Sequence, residues 1–451
     1  MHLSVMAPVL ILGAGAVLVL LVALLAGEVG ALLRTVALLV VLAGAIDALL
    51  AHGTGFSGAV VAGPLSRVAD LVALAGVVAA VALPAPGRWG QRWSAYLALT
   101  LWAAAGMALA AASANLIVLF LGIEVLSLGL YCLTAFAVED GRGAEAAFKY
   151  FILGGLGSGL LLMGSAFTYA GRGSLQLSAT PAWTGLLPEI GLVLIIGGLA
   201  FKLALAPFQL WTPDVYEGAP TGVTAFMAVG TKAAAFIALA RVVLAAFPTG
   251  SGVLAVLGAV SMFVGYLLAM RQSGLKRLLA FSGIANAGTL VLALLAPVAF
   301  HAIAFTYLAA YAAATLGAFA VVAVIEARGG TADLDSLRGL AGRAPWLAAA
   351  LVISLLSLAS VPLTGGFLAK LLLLEGLAHA GHPFLAVLVV LATVVGLYPY
   401  FRVVLAVLAP ADETGVALTV APRLPAPRVV AALAVVATFA IGILPGPLLH
   451  G

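Results

Sequence analysis

Fourteen apolar runs, most of them close to the length that crosses a bilayer, divide this 451-residue sequence. About 20 consecutive apolar residues span the hydrocarbon core of a membrane. Hydrophobic residues make up 65% of the chain and charged residues only 8%, which is far more apolar than a water-soluble core requires. The sequence therefore predicts an all-α polytopic membrane protein with about 14 transmembrane helices and no water-soluble domain between them.

The predicted spans follow directly from the bounds of these runs. They cover residues 5–26, 33–51, 67–84, 94–112, 114–136, 146–170, 189–217, 221–247, 252–270, 275–297, 299–326, 345–378, 383–408 and 427–446. No basic segment precedes the first run, so we expect a first transmembrane helix rather than a cleaved signal.

The arginines give the predicted orientation, because cytoplasmic loops of membrane proteins carry the excess of basic residues. With the N-terminus outside, the cytoplasmic ends hold twelve arginines: Arg34, Arg88, Arg92, Arg142, Arg271, Arg277, Arg328, Arg338, Arg343, Arg402, Arg423 and Arg428. The opposite ends hold Arg67, Arg172 and Arg241. We therefore expect a multi-pass protein of the cell membrane with both termini on the non-cytoplasmic side.

Two of the runs are too long for a single straight helix. As continuous helices, the seventh run would measure about 43 Å and the twelfth about 50 Å, against a hydrocarbon core of about 30 Å. The residues that interrupt them are Pro207 and Pro213 in the seventh run and Pro362, Gly365 and Gly366 in the twelfth. Broken helices in two halves of a chain are typical of a transport pathway built from inverted repeats.

The chain has five lysines, and four of them lie in or against the apolar runs. These are Lys149, Lys202, Lys232 and Lys370, and we identify Glu124 as the one carboxylate that joins them. A lysine or glutamate near the middle of a bilayer costs at least about 2–3 kcal/mol, so it is rarely placed there without a task. The pattern indicates movement of charge through a membrane, and we expect Glu124 and Lys202 to form an ion pair.

Each of these residues also has a plainer interpretation. Glu124 can be a buried, protonated carboxyl that bonds to a neighbouring helix, Lys232 can form a structural ion pair, and Lys370 can be a fixed counter-ion. Lys202 lies one turn before Pro207, where a break frees carbonyls for an ammonium, but it can also be a fixed counter-ion. Lys149 lies near a helix end, where a long side chain can extend to the headgroups.

Several further features have modest implications. The glycines between Gly154 and Gly164 suit close helix packing. His301, Tyr307 and Tyr311 are candidates for a polar path, or for ordinary hydrogen bonds between helices. Asp214 and Glu217 form either a mouth for protons or a cap on the turn.

The sequence argues against several classes of site. A single cysteine, Cys132, excludes an iron–sulfur cluster held by this chain alone and an internal disulfide. No glycine-rich phosphate loop follows a strand, and no basic patch suits a nucleic acid. We therefore expect no cofactor, no metal and no nucleic acid on this chain.

Longer stretches of sequence resemble a known family. The segment FKLALAPFQLWTPDVYEGAPTGVTAFMAVGTKAAAF is similar to the N-subunit signature of bacterial NADH–quinone oxidoreductase, respiratory complex I. The segments LFLGIEVLSLGLYCL, RQSGLKRLLAFSGIANAG, SLASVPLTGGFLAKLLLL and GLYPYFRVV resemble other blocks of that antiporter-like family, in the same order. The resemblance extends from about residue 90 to the end of the chain.

The resemblance implies two inverted five-helix repeats, with the seventh and twelfth helices discontinuous. Their predicted bounds divide the chain into residues 1–90, 91–248, 249–410 and 411–451. It also implies that Glu124, Lys202, Lys232 and Lys370 match the family's proton-pathway positions, with Lys149 less certainly included. Two departures stand out: Gln209 replaces a common histidine, and Leu363 replaces a second proline at the twelfth-run break.

The function that the resemblance implies is proton translocation by a non-redox membrane-arm subunit of NADH–quinone oxidoreductase. NADH, FMN, iron–sulfur clusters and quinone are expected in partner subunits, and the chain is not expected to act as a monomer or to be catalytic alone. The nearest alternative is a subunit of a multisubunit cation/proton antiporter. A stand-alone secondary transporter and a structural scaffold are more distant alternatives.

Overall fold

The computed structural model describes residues 3–83, 92–136, 141–178, 180–327, 330–410 and 425–444. Within these ranges the chain is almost entirely helical, and thirteen helices are long and apolar enough to cross a membrane. Of the arginines that predict the orientation, Arg88, Arg328 and Arg423 lie outside the described residues. The helical content confirms the predicted class of polytopic α-helical membrane protein.

The first part of the chain begins with a short 3₁₀ turn, Leu3–Met6. The elements that follow are α1 (Ala7–Ala26), α2 (Gly30–Leu50), β1 (Gly53–Gly55), β2 (Val60–Ala62), α3 (Pro64–Ala82), α4 (Trp93–Ala112), α5 (Leu116–Thr134), α6 (Arg142–Arg172), α7 (Leu186–Leu203), α8 (Thr212–Gly218), α9 (Thr221–Phe226) and α10 (Lys232–Ala246). The two strands form a small antiparallel hairpin, and a π-helical turn, Met227–Thr231, joins α9 to α10 in one continuous span.

The second part of the chain contains α11 (Ser251–Ala269), α12 (Leu275–Val291), α13 (Phe300–Glu326), α14 (Leu340–Arg343), α15 (Pro345–Leu358), α16 (Gly365–His379), α17 (Pro383–Leu408) and α18 (Pro425–Ile443). A 3₁₀ turn, Leu292–Leu295, extends α12. The spans formed by α9–α10, α12 and α13 are almost completely enclosed, whereas α1, α17 and α18 are largely exposed. The enclosed spans form the core of the molecule.

The twelfth apolar run accounts for the difference between fourteen predicted spans and thirteen observed ones. It forms two short helices, α15 and α16, neither of which reaches the length of a membrane crossing. Pro362 lies between them, and so do Ser360 and Leu363, with φ angles of 61° and 73°. A proline at 363 cannot adopt this left-handed φ, because its ring holds φ near −65°. Leu363 is therefore compatible with the interruption.

The seventh run is interrupted as well, but only one of its two prolines lies in the interruption. Helix α7 ends at Leu203, and Ala204 turns the chain with a φ of 59°. Pro207 lies in the gap before α8, but Pro213 occupies the first turn of α8 and so begins a helix instead of breaking one. Proline suits that position because the first helical N–H groups have no partner within the helix.

Two glycines predicted to break the twelfth run also have another role. Gly365 and Gly366 form the first turn of α16. A Cβ atom at Gly365 would lie 2.9 Å from Ile441 of α18, and one at Gly366 would collide with the carbonyl of Ser357. These glycines therefore allow close packing at the start of α16, while the break itself lies before them.

Glycines bring α6 and α7 into close contact. A Cβ atom at Gly164 would lie 2.6 Å from the carbonyl oxygen of Gly191, and one at Gly198 would lie 2.7 Å from that of Gly157. Real Cβ atoms do not approach backbone oxygens so closely, so only glycine permits this separation of the two helices. The contacts agree with the packing expected from the glycine-rich sequence of α6.

Two glycine substitutions on α6 test this packing. Gly164→Ala should destabilise the α6–α7 contact by roughly 1–3 kcal/mol, because the added methyl group forces the two backbones apart. Gly159→Ala is the matched control, since no atom lies within 4 Å of a Cβ at that position. We expect a lower thermal midpoint for the first variant alone, measured by size-exclusion chromatography of the solubilised complex after heating. Equal midpoints for both variants would contradict the packing.

Candidate functional site

Lys202 lies in the last turn of α7 with its side chain fully buried. Its Nζ donates hydrogen bonds to Ser127 Oγ at 2.7 Å and to Tyr131 Oη at 3.3 Å, both on α5. The rings of Tyr131, Tyr150 and Phe201 surround the amine with centroids 5.4–5.8 Å away. Hydroxyl oxygens and aromatic faces, which attract a cation, therefore hold this ammonium.

Glu124 and Lys202, which we predict to form an ion pair, are not in direct contact. The Glu124 carboxylate instead accepts a hydrogen bond from Ser158 of α6, and no carboxylate of the described residues lies within 4.0 Å of the Lys202 amine. Glu124 and Ser127 share one face of α5, three residues apart, and Ser127 occupies the place nearest the ammonium. The carboxylate remains within electrostatic range of Lys202.

Lys232 begins α10, directly after the π-helical turn, and is also buried. Its Nζ donates to the carbonyl of Gly283 on α12 at 3.0 Å and to that of Leu203 at 3.4 Å. In a continuous helix, the Leu203 carbonyl would accept from residue 207, but Pro207 has no N–H. The break in the seventh run thus frees a carbonyl as expected, although it is Lys232 and not Lys202 that binds it.

Lys370 lies in the second turn of α16 and is the third buried lysine. Its Nζ donates to Thr393 Oγ1 of α17 at 3.2 Å and to Tyr266 Oη of α11 at 3.3 Å. The ring of Tyr266 packs edge-on against Tyr400, with centroids 6.3 Å apart. As with the other two buried lysines, none of the described carboxylates lies within 4.0 Å of this amine.

A hydrogen-bonded group of neutral side chains lies between Lys232 and Lys370. Tyr400 Oη is 2.6 Å from Ser282 Oγ, and Asn286 Nδ2 donates to the Ser282 carbonyl at 2.9 Å. Tyr307 Oη donates to Asn286 Oδ1 at 2.9 Å. The residues of α12, α13 and α17 thus meet in one polar cluster, which we call the α12 cluster: Ser282, Asn286, Tyr307 and Tyr400.

Tyr311 lies beside this cluster and close to Lys232. A Cβ atom at Gly283 would lie 3.0 Å from Tyr311 Oη and 3.3 Å from Lys232 Nζ, so the hydroxyl and the amine approach the same point of α12. A cavity of about 10 Å³ adjoins Tyr311 at the α15–α16 break, and its lining includes Asn286, Tyr307, Tyr311, Ser357, Ser360 and Gly366. This is about the space that one water molecule needs.

His301 does not join the other candidates. It lies in the first turn of α13 with an exposed side chain, and its ring packs against Phe300 and Phe305. Six residues separate it from Tyr307, which is about 9 Å along a helix. Because α13 begins just before it, His301 lies at the helix end, apart from the buried lysines, and its part in a polar path stays a prediction.

Lys149 belongs to a charged group at one end of the molecule. Its Nζ lies 2.8 Å from Glu145 and 3.0 Å from Asp214, and it is about half exposed. Arg277 pairs with Asp214 at 2.8 Å and with Glu217 at 2.9 Å. Lys149 therefore lies in an ion-pair network that ties α6, α8 and α12 together.

Asp214 is the central carboxylate of this network. Partial burial alone would raise its pKa, but hydrogen bonds from Lys149 and Arg277 outweigh burial and lower the pKa below its usual value. The network lines an open cavity of about 320 Å³ with Arg142, Glu145, Lys149, Asp214 and Glu217. The arrangement is an open, charged cavity at one end of the molecule, and both roles that the sequence left open fit it.

Sequence reasoning missed several of the polar partners. Ser127, Tyr131, Tyr266, Ser282, Asn286, Thr393 and Tyr400 all contact a buried lysine or belong to the α12 cluster. The spacing offered one signal, since Ser282 and Asn286 lie four residues apart within an apolar run. Gln209, noted as a departure, lies in the gap after α7 with a buried Oε1 that has no hydrogen-bond partner among the described residues.

Comparison of the sequence with known proteins gives a consistent result. A family described as NADH:quinone oxidoreductase/Mrp antiporter, TM, matches residues 113–396. A relative in Symbiobacterium thermophilum, NADH-quinone oxidoreductase subunit N 1, is 41% identical and aligns over 99% of this chain and 97% of its own length. NADH-quinone oxidoreductase subunit N of Myxococcus xanthus is also 41% identical, over 80% of this chain and 78% of its own.

Solved structures with the same fold come from respiratory and antiporter complexes. A chain of respiratory complex I from Thermus thermophilus, solved with bound aureothin, is 38% identical and superposes with a TM-score of 0.87 over 98% of this chain and 99% of its own. A chain of the Mrp complex from Dietzia sp. DQ12-45-1b has a TM-score of 0.86 over 100% of this chain and 96% of its own. At 21% identity, the second likeness shows the fold alone.

Proposed function

The chain belongs to the NADH:quinone oxidoreductase/Mrp antiporter family, and we propose that it carries protons as a membrane-arm subunit of an NADH–quinone oxidoreductase. Relatives named as subunit N are 41% identical to it, and a chain of complex I is 38% identical over nearly the whole length. The likeness to an antiporter complex is limited to the fold, so the oxidoreductase is the better-supported of the two assemblies.

The observation that supports this proposal is the environment of the three buried lysines. Lys202, Lys232 and Lys370 bond to hydroxyls and backbone carbonyls, with no carboxylate of the described residues in direct contact. An amine in such a place can lose its proton without leaving a bonded carboxylate unpaired. A lysine held in a tight ion pair would have to break that pair first, so neutral partners suit a residue that changes its protonation state.

We infer that protons pass along the buried lysines through hydroxyls and water. Glu124 and Lys202 would form the first part, with Lys232 between Lys202 and the α12 cluster, and Lys370 at the far end. Tyr307 and Tyr311 support transfer between Lys232 and Lys370, because their hydroxyls can both donate and accept. The network around Lys149 and Asp214 would form the hydrated mouth at the cytoplasmic end.

The energy for transport must come from outside the lysine pathway. Moving one proton against about 100 mV costs about 2.3 kcal/mol, which a relay of side chains does not supply. We therefore infer that redox chemistry in partner subunits, with NADH, FMN, iron–sulfur clusters and quinone, drives this chain. In that role it is part of a translocating enzyme complex and has no catalysis of its own.

We also propose the inverted-repeat division and the orientation that the sequence suggested. The interruptions after α7 and between α15 and α16 fall in residues 91–248 and 249–410 respectively, and each has a buried lysine within two turns. This correspondence supports two repeats with matching helix breaks. The cluster around Lys149 then lies on the cytoplasmic side, and the hairpin of β1 and β2 lies on the other side with both termini.

Substitution of Lys232 tests the proposed function. Lys232→Met keeps the length of the side chain but removes the titratable amine, and loss of a proton-transfer group commonly costs about 10²–10⁴-fold in that step. Lys232→Arg should be nearly as damaging, since arginine does not deprotonate in proteins. We expect fewer protons translocated per electron pair in proteoliposomes that contain the assembled complex.

Lys276→Met is the control for this experiment. Lys276 lies near the charged end, where it donates to the Ala219 carbonyl and pairs with Glu326 at 3.7 Å, so unlike the three buried lysines it has a carboxylate partner. Its loss should leave the proton-to-electron ratio unchanged in whatever complex assembles. A normal ratio in both Lys232 variants would show that this lysine is not in the pathway.

A pair of tyrosines on α17 tests the α12 cluster. Tyr400→Phe removes the hydroxyl that bonds to Ser282 and Asn286, so proton transfer toward Lys370 should slow by about tenfold or more. Tyr398→Phe removes an exposed hydroxyl two residues away and should have no effect. The rate of proton uptake during quinone reduction distinguishes them, and equal rates would remove the cluster from the pathway.

A further inference from the structure

Two carboxylates that sequence reasoning passed over lie within the first three long helices. Asp47 is in the last turn of α2, and Asp70 is in the second turn of α3. The expectation that Glu124 is the one carboxylate among the spans is therefore wrong. Both aspartates lie near helix ends, where a carboxylate is ordinarily exposed to water. They also precede residues 113–396, the part that matches the family.

Asp70 is unusual because it is buried without a hydrogen bond to satisfy it. Its side chain is 7% exposed, and Oδ1 has no partner among the described residues. An ionised carboxylate in an apolar interior is costly unless it is paired or hydrogen-bonded. Such a group needs a bound proton, a cation or water.

Arg241 provides a positive charge close to Asp70, but it does not contact the carboxylate. Arg241 of α10 faces Asp70, but its Nε donates to the Ala111 carbonyl at 2.7 Å and its Nη2 to the Val61 carbonyl at 3.0 Å. These two carbonyls hold the guanidinium, and it is more than 4.0 Å from the Asp70 carboxylate. Asp70 is therefore near a fixed positive charge that it does not bind.

Asp47 connects this buried region with the surface. It lines a cavity of about 490 Å³ together with Ser4, His52 and Thr54, beside the hairpin. Its Oδ2, however, is buried and has no partner among the described residues. Asp47 thus has open space on one side and a buried, unpaired oxygen on the other, next to the Ala48 carbonyl that α3 contacts one turn before Asp70.

Few other charges enter this region. Arg67, one turn before Asp70 on α3, donates to the Ala48 carbonyl at 3.3 Å and so ties the start of α3 to the end of α2. Among the described residues, the charged groups that act on Asp70 from the helices packed around it are Asp47 of α2 and Arg241 of α10. The site is therefore two carboxylates in series, flanked by two arginines that bond to backbone carbonyls.

We propose that Asp47 and Asp70 form a proton-binding site that loads from the compartment at the hairpin end of the molecule. A proton from the Asp47 cavity adds first to the Asp47 carboxylate and then passes to Asp70, regenerating the Asp47 carboxylate. The product is a neutral carboxylic acid at Asp70, which suits its burial. One negative charge beside Arg241 is neutralised in the process.

The apolar segment of α10 separates this site from the lysines. Residues 233–240, between Lys232 and Arg241, are alanine, phenylalanine, isoleucine and leucine, all fully buried. Nine residues of helix place these two cationic residues about 13 Å apart along the axis. The carboxylates therefore exchange protons with the cavity, and their proton binding does not depend on the proposed role of the lysines.

Infrared difference spectroscopy of the assembled complex during a pH titration tests this site. The C=O stretch of a protonated carboxyl, identified by its shift in D₂O, should be lost in Asp70→Asn. Asp335→Asn, which neutralises an exposed loop carboxylate, is the charge-matched control and should retain the band. An unchanged band in Asp70→Asn would overturn the proposal, because Asp70 would then be permanently ionised.

A second variant covers the case in which Asp70→Asn does not assemble. Asp47→Asn changes a half-buried residue and removes a negative neighbour, so the band should appear at lower pH than in the unmodified chain. The same midpoint in both proteins would overturn the link between the two carboxylates.

Because the spectrum reports proton binding and not transport, its outcome is separate from that of the Lys232 variants. If the band is lost in Asp70→Asn while Lys232→Met pumps normally, the lysine pathway is refuted and the carboxylate site is supported. If the band is retained in Asp70→Asn while Lys232→Met pumps poorly, the carboxylate site is refuted and the lysine pathway is supported.

Discussion

An ammonium group enclosed by membrane helices needs hydrogen-bond acceptors. The helix breaks and close helix contacts of this structure supply those acceptors to the buried lysines. For Lys232, the chain provides the carbonyl of Leu203 by placing a proline at residue 207, four positions further on. Helix α7 ends at Leu203, and a proline that cannot continue the helix leaves that carbonyl without an intrahelical partner, at the negative end of α7. A second carbonyl, from Gly283, completes the contact because glycine lets α12 approach the lysine closely.

The other buried lysines use side-chain hydroxyls for the same purpose, and helix packing determines which ones. Glycines bring α6 against α7, which fixes the position of Lys202 beside Ser127 of α5. Lys370 reaches Tyr266 and Thr393 from the short helix α16, which starts next to a packed pair of glycines. Neutral partners recur at all three lysines, so the interior can hold an amine in either protonation state.

The sequence predicts the class of fold, the number of apolar runs and the buried lysines, because hydropathy and charge act locally along a chain. It does not predict which helix faces which, and the differences arise there. Glu124 turns toward Ser158 instead of Lys202, and the carbonyl freed by Pro207 binds Lys232 from another helix. Asp70 lies inside the predicted run 67–84, but its burial depends on the several helices packed around α3, which its own neighbours in sequence do not reveal.

The most direct measurement of the central claim restores the missing donor at residue 207. Pro207→Ala supplies the N–H that a continued α7 would need, so the helix can extend past Leu203 and its own hydrogen bond can withdraw the Leu203 carbonyl from Lys232. Pro213→Ala is the matched control, because an N–H in the first turn of α8 takes no acceptor from a lysine. The account predicts that the number of protons translocated per electron pair falls in Pro207→Ala and not in Pro213→Ala. Full translocation by an assembled Pro207→Ala complex would contradict it.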